Sequence, residues 1–159
     1  MNTDTIRTMG EGDVPGIARV FHMAVTQGSA AHYDAAQRHA WAGSEPDPVK
    51  WQGRLASLDV IVAVDAASVM VGFASLRGSD GLLDHLFVLP SRQRTGLADR
   101  LYRRIEEVAR DQGCKRLWAE ASLLARPFLQ RQGWHETKAQ EVPVCGQVIR
   151  NFVMEYRLG

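Results

Sequence analysis

The residues with chemical potential gather between positions 82 and 98, in "LLDHLFVLPSRQRTGLA". An apolar run ends at Pro90, a short basic loop follows, and an amphipathic segment begins near Gly96. The first turn of a helix leaves its backbone N–H groups without intrahelical partners, and neither Gly96 nor Ala98 has a side chain to satisfy them. A helix start fed by a strand through small residues is an anion site. The amides around Arg94, Thr95, Gly96, Leu97 and Ala98 converge on a phosphate-sized ligand, and Arg92 and Arg94 add positive charge beside it. Two common phosphate loops, G-x-G-x-x-G and G-x-x-x-x-G-K-[ST], are absent; what stands here is Gln93-x-x-Gly96-x-Ala98.

Two carboxylates offer acid–base chemistry nearby. Aspartate is a poor strand former, yet Asp84 alternates with Leu82, Leu86 and Val88 on a nominally apolar face. Burial there raises a carboxyl pKa toward the range of a general base. Glu120 ends "RLWAEAS", where it can hold a water or orient a cationic amine.

These groups need a scaffold, and the spacing predicts one. "TIRTM" reads as an edge strand. Asp13 caps a helix to about Thr26, with Pro15 in its first turn and Ile17, Val20, Phe21 and Ala24 on one face. Asp34 caps "AAQRHAWA", and Asp47-Pro48 opens a short helix carrying Trp51 and Leu55. "DVIVAVD" and "VMVGFASL" form a hairpin turning at 66–68, and "GSDG" at 78–81 leads into "LLDHLFVL". After the basic loop, Leu97, Leu101, Ile105, Val108 and Ala109 make an apolar stripe that ends at Gly113. "RLWAEAS" is a strand, Ser122 caps a helix in "LLARPFLQRQ" ending at Gly133, and "WHETKAQEVPV" pairs with "QVIRNFVMEYRL" as a final hairpin.

Composition sets outer bounds. The chain has 159 residues, 45% of them hydrophobic, which suits one compact domain over 1–159. A net charge of +1 gives no overall pull toward nucleic acid or anionic lipid, and acidic residues interrupt the arginines of the long helix. No apolar run reaches the length of a membrane span, and the polar start lacks the apolar stretch of a signal peptide. Cys114 and Cys145 have no metal-type spacing, and reduced thiols point to a cytoplasmic protein. The five histidines are not at paired ligand spacing, so no metal is expected. Without a G-x-S-x-G elbow a serine hydrolase is not expected.

Following the strand "LFVLP", Gln93-x-x-Gly96-x-Ala98 resembles motif A of the GNAT N-acetyltransferase superfamily, Q/R-x-x-G-x-G/A. "ARPFLQRQGW" stands where that family has a helix ending F-Y-x-x-x-G-F, and the order of elements fits a GNAT domain throughout. "AAHYDAAQRHAWA" and "GQVIRNFVMEYRL" are similar to a bacterial YafP-like branch. The resemblance implies an α/β (α+β) GNAT fold, a mixed central sheet of about seven strands flanked by helices. It implies that the loop grips the pyrophosphate of acetyl-CoA. The preceding strand splays from its neighbour, freeing backbone at Leu86, Phe87 and Val88 for the pantetheine arm and the thioester carbonyl. Ser122 and Phe128 complete the implied coenzyme set, and Asp84 stands where some members carry their base.

The early helices cover the acceptor side in the family, which assigns His32 and Tyr33 to the pocket and leaves Trp41 as a core anchor. Asn151 on the last strand closes the same cleft. Leu129 departs from the pattern, because many members place a proton-donating tyrosine there; Tyr33 is the substitute donor, or water. The implied reaction is direct acetyl transfer from acetyl-CoA to the primary amine of a small molecule. The alternatives are a noncatalytic acyl-CoA-binding module and a peptide or protein N-acetyltransferase. The sequence leaves the oligomeric state open; the last strands offer an edge through which a homodimer could form.

Overall fold

Adjacent residues of one strand show how the layers form. Gly72 faces Leu101, close enough that an added Cβ would lie 3.0 Å from Leu101 Cδ1. Its neighbour Phe73 instead meets Trp51, with ring centroids 5.6 Å apart. Since successive strand residues point to opposite faces, the helices carrying Leu101 and Trp51 cover opposite sides of the sheet. Strands buried on both faces read as continuous apolar runs, as "DVIVAV" and "MVGFASL" do.

The computed structural model describes residues 3–159. In chain order its strands are β1 (Thr5–Thr8), β2 (Asp59–Val64), β3 (Met70–Arg77), β4 (Leu82–Val88), β5 (Arg116–Ser122), β6 (His135–Val144) and β7 (Gln147–Arg157). The helices are α1 (Val14–Met23), α2 (Ala35–Ala42), α3 (Pro48–Leu55), α4 (Leu97–Asp111) and α5 (Ala125–Arg131). The strands form one mixed sheet in the order β1-β2-β3-β4-β5-β7-β6, antiparallel except where β4 meets β5. No helix among the described residues is long and apolar enough to cross a membrane.

Helix α4 buries Leu97, Leu101, Ile105 and Ala109 completely, as its stripe predicts. Tyr102 joins them, its hydroxyl donating to Glu106 Oε1 (3.0 Å) and accepting from Trp134 Nε1 (2.8 Å). Asp34 and Gln37 form a reciprocal capping box on α2, and Asp47 accepts from Lys50 N on α3. Ser122 Oγ accepts from Ala125 N at the start of α5. Cys145 and Gly146, at φ 46° and 84°, make the tight turn between β6 and β7.

The start of α1 departs from expectation. Asp13 does not cap the helix; its carboxylate accepts from Gly10 N (2.7 Å) and from both terminal nitrogens of Arg7. Its backbone, at φ −82° and ψ −20°, is already helical, whereas a capping side chain needs extended geometry. The helix expected to reach Thr26 ends at Met23 and gives way to a π-helical turn over Ala24–Gly28.

Candidate active site

The sheet opens between β4 and β5. The two strands share a single bridge, Leu82 opposite Trp118, reinforced by Trp118 N donating to the Gly81 carbonyl. Beyond it they part, while β3 stays paired with β4 and β7 with β5. Ser75 lies opposite His85 and Leu76 opposite Leu83, so Asp84 is an extra residue bulged out of β4. A bulge bends its strand, and this one falls just past the last pairing with β5. The gap becomes a cavity of about 780 Å³ that reaches from the basic loop to the early helices.

At one end lies the loop. Among the described residues the amides from Arg94 to Asp99 donate no hydrogen bond, and Gly96, the residue before α4, offers no capping side chain. Arg94 and Gly96 hold left-handed conformations, φ 62° and 84°, which glycine adopts without the penalty of a Cβ. The loop is braced from beneath: Thr95 Oγ1 donates to Arg92 O (2.5 Å), and Gln93 Nε2 donates to Gly28 O (3.4 Å). Gln93, Arg94, Gly96 and Ala98 line the cavity. Thr95 and Leu97 do not; the Leu97 side chain is fully buried in the core, so its amide alone is available to the site.

Arg92 corrects the expectation that it brings free charge to this loop. Its Nε and Nη2 donate to the Asp4 carboxylate at 2.9 and 3.3 Å, which balances the guanidinium. Arg94 is exposed and makes no ion pair among the described residues, leaving it as the cation at the loop.

Asp84 lines the cavity but is not buried among leucines; its side chain is 39% exposed. The bulge is the reason, since one extra residue breaks the alternation that would have set it beside Leu86 and Val88. Leu86, Phe87 and Val88 follow on β4, half-buried along the cavity wall. Glu120, exposed on β5, faces the same space from the opposite strand.

His85 is the group that sequence reasoning missed. It is buried on the cavity wall, with Nδ1 2.7 Å from the Ser75 hydroxyl and its ring against Trp51 and Phe73. Burial pushes its pKa down to about 4; the neighbouring Asp84 carboxylate opposes this and the Arg54 cation adds to it. The imidazole is therefore neutral at pH 7. Its signal was a histidine directly across from a serine, readable only once the strand register is known.

Tyr33 is a strut as much as a wall. Its buried hydroxyl donates to Arg150 O and accepts from Leu123 N, both at 2.8 Å, and burial raises its pKa. Trp41 sits in an aromatic cluster with Phe21, Tyr33 and Phe87, at centroid distances of 5.6–6.1 Å, and also borders the cavity. His32 is exposed at the rim. Asn151 lines the wall from β7, with a buried Oδ1 that has no partner among the described residues. Ser122, Phe128 and Leu129 border the cavity from β5 and α5.

The family model described as an acetyltransferase (GNAT) domain matches residues 29–158. The chain is 34% identical to the uncharacterized N-acetyltransferase YafP of Escherichia coli (strain K12), over 99% of this chain and 98% of that protein. A crystal structure of a GCN5-related N-acetyltransferase from Rhodopseudomonas palustris matches with a TM-score of 0.90 at 29% identity, covering 99% of this chain and 97% of that one. The PaiA N-acetyltransferase of Thermoplasma acidophilum, solved in complex with coenzyme A, shares the fold with a TM-score of 0.76 at 16% identity, over 97% and 98% of the two chains. Sequence and fold thus agree with what motif A implied: this chain belongs to the GNAT family of acetyltransferases.

Proposed function

We propose that the protein moves an acetyl group from acetyl-CoA to the primary amine of a small molecule, by direct transfer within a ternary complex. One observation carries this reading: a single cavity joins the undonated amides of the loop to the carboxylates of Asp84 and Glu120. The amides of Arg94–Asp99, with the Arg94 cation, hold the pyrophosphate. The edge of β4 at Leu86–Val88, which β5 leaves unpaired, receives the pantetheine arm. A backbone N–H on that edge stabilises the oxygen of the thioester carbonyl as charge develops. Neighbours of the same fold solved with coenzyme A or acetyl-CoA, such as the PaiA structure, support acetyl-CoA as the donor.

Glu120 orients the cationic amine, and His32, Tyr33 and Asn151 form the acceptor wall. Asp84 takes the ammonium proton, directly or through a water. The freed nitrogen attacks the thioester carbon and a C–N bond forms; the nitrogen then gives its second proton to water as the C–S bond breaks and the sulfur leaves as coenzyme A thiolate. No side chain at Leu129 can protonate it, and the Tyr33 hydrogen is committed to the Arg150 carbonyl. A thiol with a pKa of about 8.5 leaves as an anion without help, so water completes the step.

Calorimetric titration with coenzyme A, followed by a thiol-release assay over a panel of amines, tests the reading. Binding together with amine-dependent thiol release is expected; absence of coenzyme A binding would overturn it. Asp84→Asn should lower amine-dependent turnover about 100-fold while changing coenzyme A affinity only a few-fold. Full turnover in that variant removes Asp84 from the mechanism.

A further inference from the structure

His85 and Ser75 form a buried polar pair inside an apolar sheet. Ser75 is fully buried, and its hydroxyl has a single partner among the described residues, His85 Nδ1. If Nδ1 carried the hydrogen, the serine O–H would have no acceptor, at a penalty of about 1–3 kcal/mol for an orphaned buried donor. The serine therefore donates to Nδ1, and the ring hydrogen of the neutral imidazole sits on Nε2. Nε2 makes no hydrogen bond among the described residues. It is also not among the buried unpartnered polar atoms of the described residues, which are Arg100 Nη1, Arg126 Nε and Asn151 Oδ1. An unbonded atom outside that set, on a side chain that borders the cavity, is in contact with the cavity.

We propose that His85 presents a fixed Nε2–H donor to the acceptor side of the cavity, where it selects amines bearing an uncharged oxygen, a hydroxyl or a carbonyl. The ring shares its sheet face with Phe73, Phe87 and Trp51, on the side covered by α1 and α3, so it meets the amine's own substituents. The oxygen is uncharged because the carboxylates of Asp84, whose Oδ2 stands 4.0 Å from Nδ1 of the same ring, and of Glu120 line this cavity and repel an anion. Arg54 stacks on Trp51 at 5.0 Å and acts on the imidazole less strongly than Asp84 does. The low proton affinity of the ring keeps the donor neutral across the working pH range. The aromatic wall of Phe21, Trp41 and Phe87 accepts an apolar body. The expected class is thus an apolar amine carrying a hydroxyl or carbonyl oxygen.

The substrate half of this proposal rests on the acetyl-transfer reading; the donor half does not, and two measurements separate them. Long-range proton–nitrogen NMR of the whole protein at pH 7, with His85→Phe to assign the resonance, is expected to show His85 with hydrogen on Nε2. Hydrogen on Nδ1 overturns the proposal. In thiol-release assays, phenylglycinol is expected to exceed α-methylbenzylamine, its deoxy analogue, and phenylglycine by at least tenfold in kcat/KM. His85→Phe should cut the phenylglycinol value at least tenfold more than the α-methylbenzylamine value, and His85→Gln, which keeps a donor, should restore part of it. Equal losses on both amines, or a preference for phenylglycine, overturn the selection. If no amine is acetylated, the transfer reading fails, and the NMR result still decides the donor.

Discussion

Acidification from pH 7 to 5 is expected to destabilise the folded protein by about 2 kcal/mol through His85 alone. Burial holds the imidazole pKa at about 4 in the folded state, against 6.5 in an exposed histidine. Between those values the unfolded chain binds a proton that the folded chain does not, so stability rises with pH. The contribution is fully present above pH 6.5 and is lost as the pH falls toward 4, a span worth about 3 kcal/mol. Urea unfolding followed by circular dichroism reads it directly. With a denaturant slope of about 2 kcal/mol/M, the wild-type midpoint should fall about 1 M further between pH 7 and 5 than that of His85→Phe. The variant leaves the Ser75 hydroxyl without its partner, which lowers its midpoint at every pH but leaves the slope alone. Other titrating groups are common to both proteins and cancel in the difference. Parallel lines for the two proteins would refute the reasoning, because they would mean that His85 titrates alike folded and unfolded.

Three further outcomes are expected. Gly96→Ala meets no steric neighbour within 4 Å, but φ is +84°; the left-handed backbone is disfavoured by about 1–2 kcal/mol with a Cβ, and coenzyme A affinity should drop about 5- to 30-fold by calorimetry. Tyr33→Phe strips the Arg150 carbonyl and the Leu123 amide of their shared partner, which should lower stability in urea by about 1–3 kcal/mol. Gly81→Ala would put a Cβ 2.2 Å from the Arg116 carbonyl oxygen at φ +78°, at the one joint between β4 and β5. A loss of about 3 kcal/mol, roughly 10 °C in melting temperature, is expected by calorimetric scanning.

What the amino-acid order determined was whatever rests on neighbours a few positions apart. The capping box of Asp34 and Gln37, the left-handed Gly96 before α4, the Cys145-Gly146 turn and the buried stripe of α4 all depend on contacts within a turn or two. The spacing Gln93-x-x-Gly96-x-Ala98 belongs to this class, which is why the loop end of the site and its family resemblance were legible. Even locally the reading failed where one side chain had two possible partners, as when Asp13 turned back to Arg7 and Gly10 instead of capping α1.

Only the tertiary structure decided the groups whose partners are distant along the chain. Arg92 loses its free charge to Asp4, 88 positions away, and Tyr33 commits its hydroxyl to Arg150, 117 positions away. The reversal at Asp84 and His85 has the sharpest physical cause. Side chains on a strand alternate with a period of two, so one bulged residue exchanges inside for outside. That single insertion against β3 leaves Asp84 exposed and carries His85 into contact with Ser75. Register is a property of two strands together, and no pattern within "LLDHLFVL" contains it.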